Sequence, residues 1–296
     1  MDYLVLPEMT AGVFDASGTI FVDVACRRCG YNLRGLKPDG LCPECGTPIG
    51  LSISGDLLRF ADPAWLEKLA LGIRYILWGL AVAVLFGILG GVVGAFLNPA
   101  LGQALGFVGG LLALYGTWLL TAPDPSGIGE DRYANSRKVI RLALLIGLLG
   151  NLTSMLMEAG GIPEWMRILL ALVGVFAGVI WVVGEFAKLM YLEKLAMRIP
   201  EAQYAQRARF LRWAYGISLL LVIVLTALIV PITVAGGPGG GGAVAGLGCF
   251  FPVVAIFMLV FFLMYLRLLY RMGKAFRMQA QYARETWAKA KAAATG

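Results

Sequence analysis

Six long apolar stretches dominate the chain, at about 69–97, 101–122, 139–157, 165–190, 210–235 and 243–270. Each approaches or exceeds the roughly 20 residues that a helix needs to cross about 30 Å of hydrocarbon. The third is the shortest and carries Asn151, Thr153 and Ser154. Charged residues collect between the stretches, so the pattern predicts an all-α polytopic membrane protein with six transmembrane helices. Ahead of them, residues 17–25 alternate enough for a short strand. Asp62-Pro63 marks a helix start just before Trp65.

The basic residues orient these helices. Of 25 Lys and Arg, all but Arg167 fall before the first stretch, after the second, fourth and sixth, or at the adjoining helix ends. The loops at 98–100, 158–164 and 236–242 hold none. Basic loops stay cytoplasmic. The reading is therefore a multi-pass inner (cytoplasmic) membrane protein with both termini in the cytoplasm. Residues 1–25 hold four acids and no Lys or Arg, unlike a signal peptide.

Composition agrees and excludes more. The 296 residues are 59% hydrophobic and 15% charged, with a net charge of +7. A soluble domain of this length could not hide so much apolar surface. There is no histidine. That removes Ser-His-Asp and Cys-His nucleophiles, HExxH metalloproteases and proximal-His haem. Any metal must bind Cys, Asp or Glu.

Cysteine supplies the one recognisable site. Cys26, Cys29, Cys42 and Cys45 are spaced C-x2-C-x12-C-x2-C, with Gly30 and Gly46 directly after each pair. Two such knuckles can close a tetrahedral thiolate shell around Zn2+. Disulfides are the rival reading, disfavoured in a reducing cytoplasm. Iron is the other. Cys-Gly-Tyr followed by Cys-Pro-x-Cys-Gly resembles rubredoxin, although the 12 intervening residues are much shorter than in rubredoxins. A shell of four cysteines leaves no open position for Lewis-acid chemistry, so zinc here would be structural and no enzyme is expected.

Residues 26–48 also resemble the short zinc ribbons of membrane proteins from planctomycete-type bacteria, a group without an assigned function. All four ligand positions match that pattern. The resemblance implies a ribbon over this segment and nothing about the helices. The chain thus divides into an acidic segment (1–25), a zinc ribbon (26–50), a linker (51–66), a six-helix membrane domain (67–270) and a basic cytoplasmic C-terminal helix (271–296). Arg27, Arg28, Arg34 and Lys37 make the ribbon basic, but Asp39 and Glu44 lie among them. An acidic protein patch or the anionic inner leaflet suits it better than nucleic acid.

Within the membrane, Glu185 is the one acid inside an apolar stretch. It is either a pathway residue or the i,i+3 partner of Lys188. Asn151 and Gln103 are the other polar candidates. Small residues recur at four-residue spacing, as at Gly87/Gly91 and Gly174/Gly178, and predict close helix contacts or self-association. Arg267, Arg271, Lys274 and Arg277 form one stripe suited to anionic headgroups. Tyr133-Ala134, Tyr204-Ala205 and Tyr282-Ala283 recur near the ends of three hairpins. They mark either three tandem two-helix repeats or convergent helix tails. The favoured function is a membrane protein whose ribbon docks a partner or a second copy. A channel or transporter of three hairpins is the alternative, and rubredoxin-like electron transfer the third.

Overall fold

The computed structural model describes residues 12–96, 99–126, 130–158, 162–201, 203–218 and 250–295. Among them the regular structure is helical. A short turn, α1 (Gly50–Ile53), and a 3-10 turn (Leu58–Phe60) lead into α2 (Pro63–Phe96). Then follow α3 (Pro99–Leu120), α4 (Glu130–Glu158), α5 (Glu164–Met197), α6 (203–218) and α7 (Phe250–Thr295).

Asp62 starts α2 by accepting hydrogen bonds from the amides of Ala64 (2.7 Å) and Trp65 (3.3 Å). Pro63 sits where a missing N–H costs nothing. Glu164 occupies the first turn of α5, where an acid complements the helix dipole. The same helix stops at Met197, just before Pro200.

Three helical segments are long and apolar enough to cross a membrane: Pro63–Val92, Ala134–Met157 and Glu164–Met197. A shorter apolar segment, Phe107–Leu120, lies on α3. The described residues thus carry three of the six expected crossings. The fifth stretch beyond 218, the loop at 236–242 and the sixth stretch before 250, with Cys249, lie outside them. The spanning segments bury few of their own side chains; Ile88, Val175 and Phe176 are more than 60% exposed. Outward apolar faces of this kind suit a hydrocarbon solvent and point to a membrane protein.

The helices pair along the chain, α2 on α3 and α4 on α5, with α7 returning to α2. The first pairing rests on a glycine pattern that the four-residue spacing did not flag. Gly72 and Gly79 on α2 face Gly116 and Gly109 on α3. A Cβ at any of the four would come within 2.4–2.6 Å of the opposite backbone. Those glycines are seven residues apart, two helical turns, so they line one seam. Gly87 and Gly91, by contrast, face open space, and so does Gly178.

The main core sits at the end of the bundle that carries the basic segments. Leu66, Leu69 and Ile73 of α2 meet Tyr191, Leu192 and Leu195 of α5, Ala208 and Leu211 of α6, and Leu269, Met272 and Phe276 of α7. Helix α7 runs 46 residues without a break, about 69 Å, so the basic tail continues the helix that begins in the sixth apolar stretch. Its buried face contains Met272, Phe276, Ala280 and Ala283, which leaves Arg267, Lys274 and Arg277 exposed on the other. Trp287 donates to the Phe60 carbonyl (3.2 Å) and Arg284 pairs with Glu67. The tail therefore folds against the start of α2. Eight residues beyond Tyr133 and Tyr204 of the expected repeat stand Arg141 and Arg212; the first binds Thr121 and the second Glu193, so these two contacts differ.

Residues 17–25 do not form a regular strand. The N-terminal region instead makes single bridges, Phe14 to Ile20 and Ala25 to Asn32. Gly18, Gly30 and Gly35 take positive φ and turn the chain before a ladder can extend. Residues 51–66 are likewise more than a linker, since Leu51, Leu58, Phe60, Ala61 and Leu66 are all buried.

Gly109→Val is expected to cost about 1–3 kcal/mol by forcing the α2–α3 seam apart. Gly87→Val should stay within about 0.5 kcal/mol. Reversible unfolding of both variants in detergent checks the contrast.

Candidate metal centre

Two turns of identical construction build the cysteine site. In the first, the Cys26 amide donates to the Tyr31 carbonyl (2.7 Å) and the Gly30 amide to the Cys26 carbonyl (2.9 Å). In the second, Cys42 donates to Thr47 (2.8 Å) and Gly46 to Cys42 (2.9 Å). The flanking bridges, Ala25 to Asn32 and Leu41 to Pro48, are also equivalent. Gly30 and Gly46 take φ of 77° and 66°, a region that L side chains avoid. Each of these backbone contacts recurs sixteen residues later. Ile20, Leu33 and Ile49 fill the small core beneath, and Val13, Phe14, Val22 and Val24 pack against it. Part of the acidic N-terminal segment thus belongs to the ribbon.

The knuckles face each other. Cys26 Sγ lies 3.6 Å from Cys45 Sγ, and Cys29 Sγ lies 3.6 Å from Cys42 Sγ. All four ligand atoms fall within 4.8 Å of one another, and no disulfide links them. A tetrahedron with Zn–S bonds of about 2.3 Å has edges of about 3.8 Å, whereas a disulfide would bring two sulfurs to about 2.0 Å. The site fits one metal ion held by Cys26, Cys29, Cys42 and Cys45. Tetrahedral thiolates suit zinc and iron alike.

The surroundings bias the sulfurs unequally. Burial pushes the Cys26 thiol up. The Tyr31 amide favours the Cys29 thiolate, yet burial and the neighbouring sulfurs together raise that thiol to about 12. Burial opposes ionisation of Cys45, but Thr47, whose hydroxyl lies 3.2 Å away, brings it down to about 7. A metal must displace these protons, so falling pH releases it.

A second feature joins the ribbon to the helices. Arg27, between two ligand cysteines, is completely buried. Its amide donates to Ser52 Oγ (3.0 Å) and its Nη2 to the Gly55 carbonyl. Its guanidinium lies in the field of Asp56, Asp124 and Arg198. Arg198, just past the end of α5, reaches Asp56 at 2.7 Å and Asp124 at 3.0 Å. It also lies over the Trp65 ring, and its carbonyl accepts from the Leu58 amide (3.0 Å). Asp124 in turn accepts from the amide and hydroxyl of Ser126. Burial lowers the Arg27 guanidinium to about 10, against the pull of Asp124, so it stays charged at neutral pH. Two cations and two anions therefore balance at the junction.

No protein-family model, curated protein or solved structure matches this chain. The reading of the site rests on its own chemistry.

By its place in the sequence Arg27 belongs among the surface charges of the ribbon. It is buried, and Arg28, Arg34 and Lys37 remain outside. Asp56, Asp124 and Arg198 were missed; only the Pro123-Asp124-Pro125 turn hints at a fixed carboxylate. Of the membrane candidates, Glu185 pairs with Lys188 at 2.7 Å and lines a bundle cavity together with Asn151. Gln103 falls on α3, with its side chain outside the described residues.

Truncating one member of a buried charge cluster costs roughly 3–5 kcal/mol. Arg27→Met and Asp124→Asn should each destabilise the protein by that order. The double variant should lose clearly less than the sum, because each change leaves the other's charge uncompensated. Unfolding of the metal-saturated variants as a double-mutant cycle checks this; additive losses would mean that Arg27 and Asp124 do not interact.

Proposed function

We propose that this is a six-crossing protein of the inner (cytoplasmic) membrane, with both termini cytoplasmic. Its ribbon would bind structural zinc and serve as a docking and assembly module, with no catalytic role. The burial of Arg27 carries this reading. A ribbon of this size has little core of its own, and bound metal supplies much of the folding energy of such modules. Here one face of the knuckle is committed to the ends of α3 and α5. The other face, with Arg28, Tyr31, Arg34 and Glu44, stays exposed.

Such a face is small, rigid and only mildly charged. With Arg27 withdrawn, its basic residues are too few for strong phosphate-backbone binding. An acidic patch on a protein partner, or on a second copy of this chain, fits it better. The stripe Arg267, Arg271, Lys274 and Arg277 would meanwhile hold the start of the α7 tail near anionic headgroups. The ribbon would then be presented at a fixed height above the bilayer.

One observation favours transport as a second reading: Glu185 and Asn151, far apart in sequence, share a cavity inside the bundle.

The native mass of the protein extracted in mild detergent tests docking. Tyr31→Ser with Arg34→Glu should keep one zinc per chain yet dissociate any complex seen with the wild type. A wild-type protein that is monomeric and partner-free, and unchanged by the double substitution, would contradict the docking role.

A further inference from the structure

Inside the bundle lies a cavity of about 620 Å3, walled by residues from α2 to α7. It is elongated. Leu144 and Met155, both in its wall, are separated by three turns of α4, about 16 Å along the axis. Most of the lining is apolar or aromatic, including Phe107, Trp181, Phe261 and Phe262.

The charge is confined to the end nearer the ribbon. There Glu185 and Lys188 pair at 2.7 Å, with side chains only 19% and 8% exposed. Lys188 Nζ lies 5.8 Å from the centre of the Tyr265 ring. The Tyr265 hydroxyl is buried beside the Lys188 ammonium. Farther along, Asn151 and Ser154 direct their donors to the Gly147 and Gly150 carbonyls of their own helix (3.1 Å each). The cavity therefore has a polar, net-neutral end and a long greasy barrel.

This charge balance selects a ligand. Among the described residues of the lining, the one acid is already satisfied by the one base. A charged headgroup would enter a low-dielectric space with no free counter-charge, which is strongly unfavourable. An uncharged headgroup avoids that cost and can share a hydrogen bond with the buried Tyr265 hydroxyl, so its own polar group is not left unpaired. A hydrocarbon chain would fill the barrel, since apolar space of this size otherwise forfeits its dispersion contacts.

We infer that the cavity is a binding site for an uncharged amphiphile, a hydrocarbon chain ending in an alcohol or ester. The headgroup meets the Tyr265 hydroxyl beside the Lys188–Glu185 pair, and the chain runs past Trp181 towards Met155. The site stands apart from the ribbon, so metal content serves as an independent control.

Trp181 makes the test direct. Mid-chain-brominated probes are titrated into the full-length protein in saturated-lipid nanodiscs: a medium-chain alcohol and the matching alkane, carboxylate and amine. Bromine quenches indole on contact, and Trp181→Phe identifies the Trp181 component. The alcohol should quench that component saturably and at least about tenfold more tightly than either charged probe. A Cβ on Gly110, in the wall, would meet nothing within 4 Å. Gly110→Phe should therefore plug the barrel and abolish the saturable component. The milder Tyr265→Phe should bring the alcohol down to the affinity of the alkane.

Metal content near one per chain in each variant would show that the ribbon is intact. Quenching of Trp181 that never saturates, or that survives Gly110→Phe, would overturn the site. Tighter binding of the carboxylate or the amine would overturn the choice of ligand.

Discussion

The arrangement depends on a neutral cluster of four charges between the ribbon and the helices, three of them buried and Asp56 half-buried at its edge. Arg27, Asp56, Asp124 and Arg198 come from four segments of the chain, and all but Asp56 are withdrawn from water. Such clusters add little net stability over apolar packing, because desolvation offsets much of their attraction. Their effect is on geometry: a shifted partner leaves a bare charge, so few alternative placements are tolerated. Arg27 sits between the ligands Cys26 and Cys29. The turn that presents sulfur to a metal is thus the same turn that seats the ribbon on the bundle.

Lipid explains the rest of the architecture. Helices in hydrocarbon gain nothing from hiding apolar side chains, so they associate by close approach and by polar contacts. The Gly72, Gly79, Gly109 and Gly116 seam supplies the first, bringing α2 and α3 backbone to backbone. Ordinary hydrophobic burial concentrates at the basic end, where α2, α5, α6 and α7 converge. Beyond that core a cavity opens between the helices, with Glu185 and Lys188 at its end nearer the ribbon. Core, junction and ribbon form one continuous assembly on one side of the spanning segments.

Local features were legible in the sequence because local spacing sets them. The C-x2-C pairs fix knuckle geometry within five residues. Asp62-Pro63 caps a helix through its own next two amides, and Glu185 meets Lys188 because they are three apart on one helix. What depends on a distant neighbour was not legible. Asp124 and Arg198 are 74 residues apart, and nothing near either announces the other. Small-residue spacing at Gly87 and Gly91 satisfied the rule for close packing yet faces open space, since the rule does not say which face meets a partner helix. The alternation at 17–25 suggested a strand, but glycines at positive φ cut the pairing down to single bridges.

Hydrogen exchange across the junction tests most directly whether metal seats the ribbon on the bundle. The Leu58 amide, bonded to the Arg198 carbonyl, reports on the junction, and the Cys42 amide, bonded to Thr47, reports on the ribbon. Removing the metal from otherwise intact protein should raise exchange at both, while amides in the middle of α4 and α5 stay protected. Loss of protection at Cys42 with Leu58 unchanged would contradict the coupling, leaving the ribbon an independent module beside the bundle.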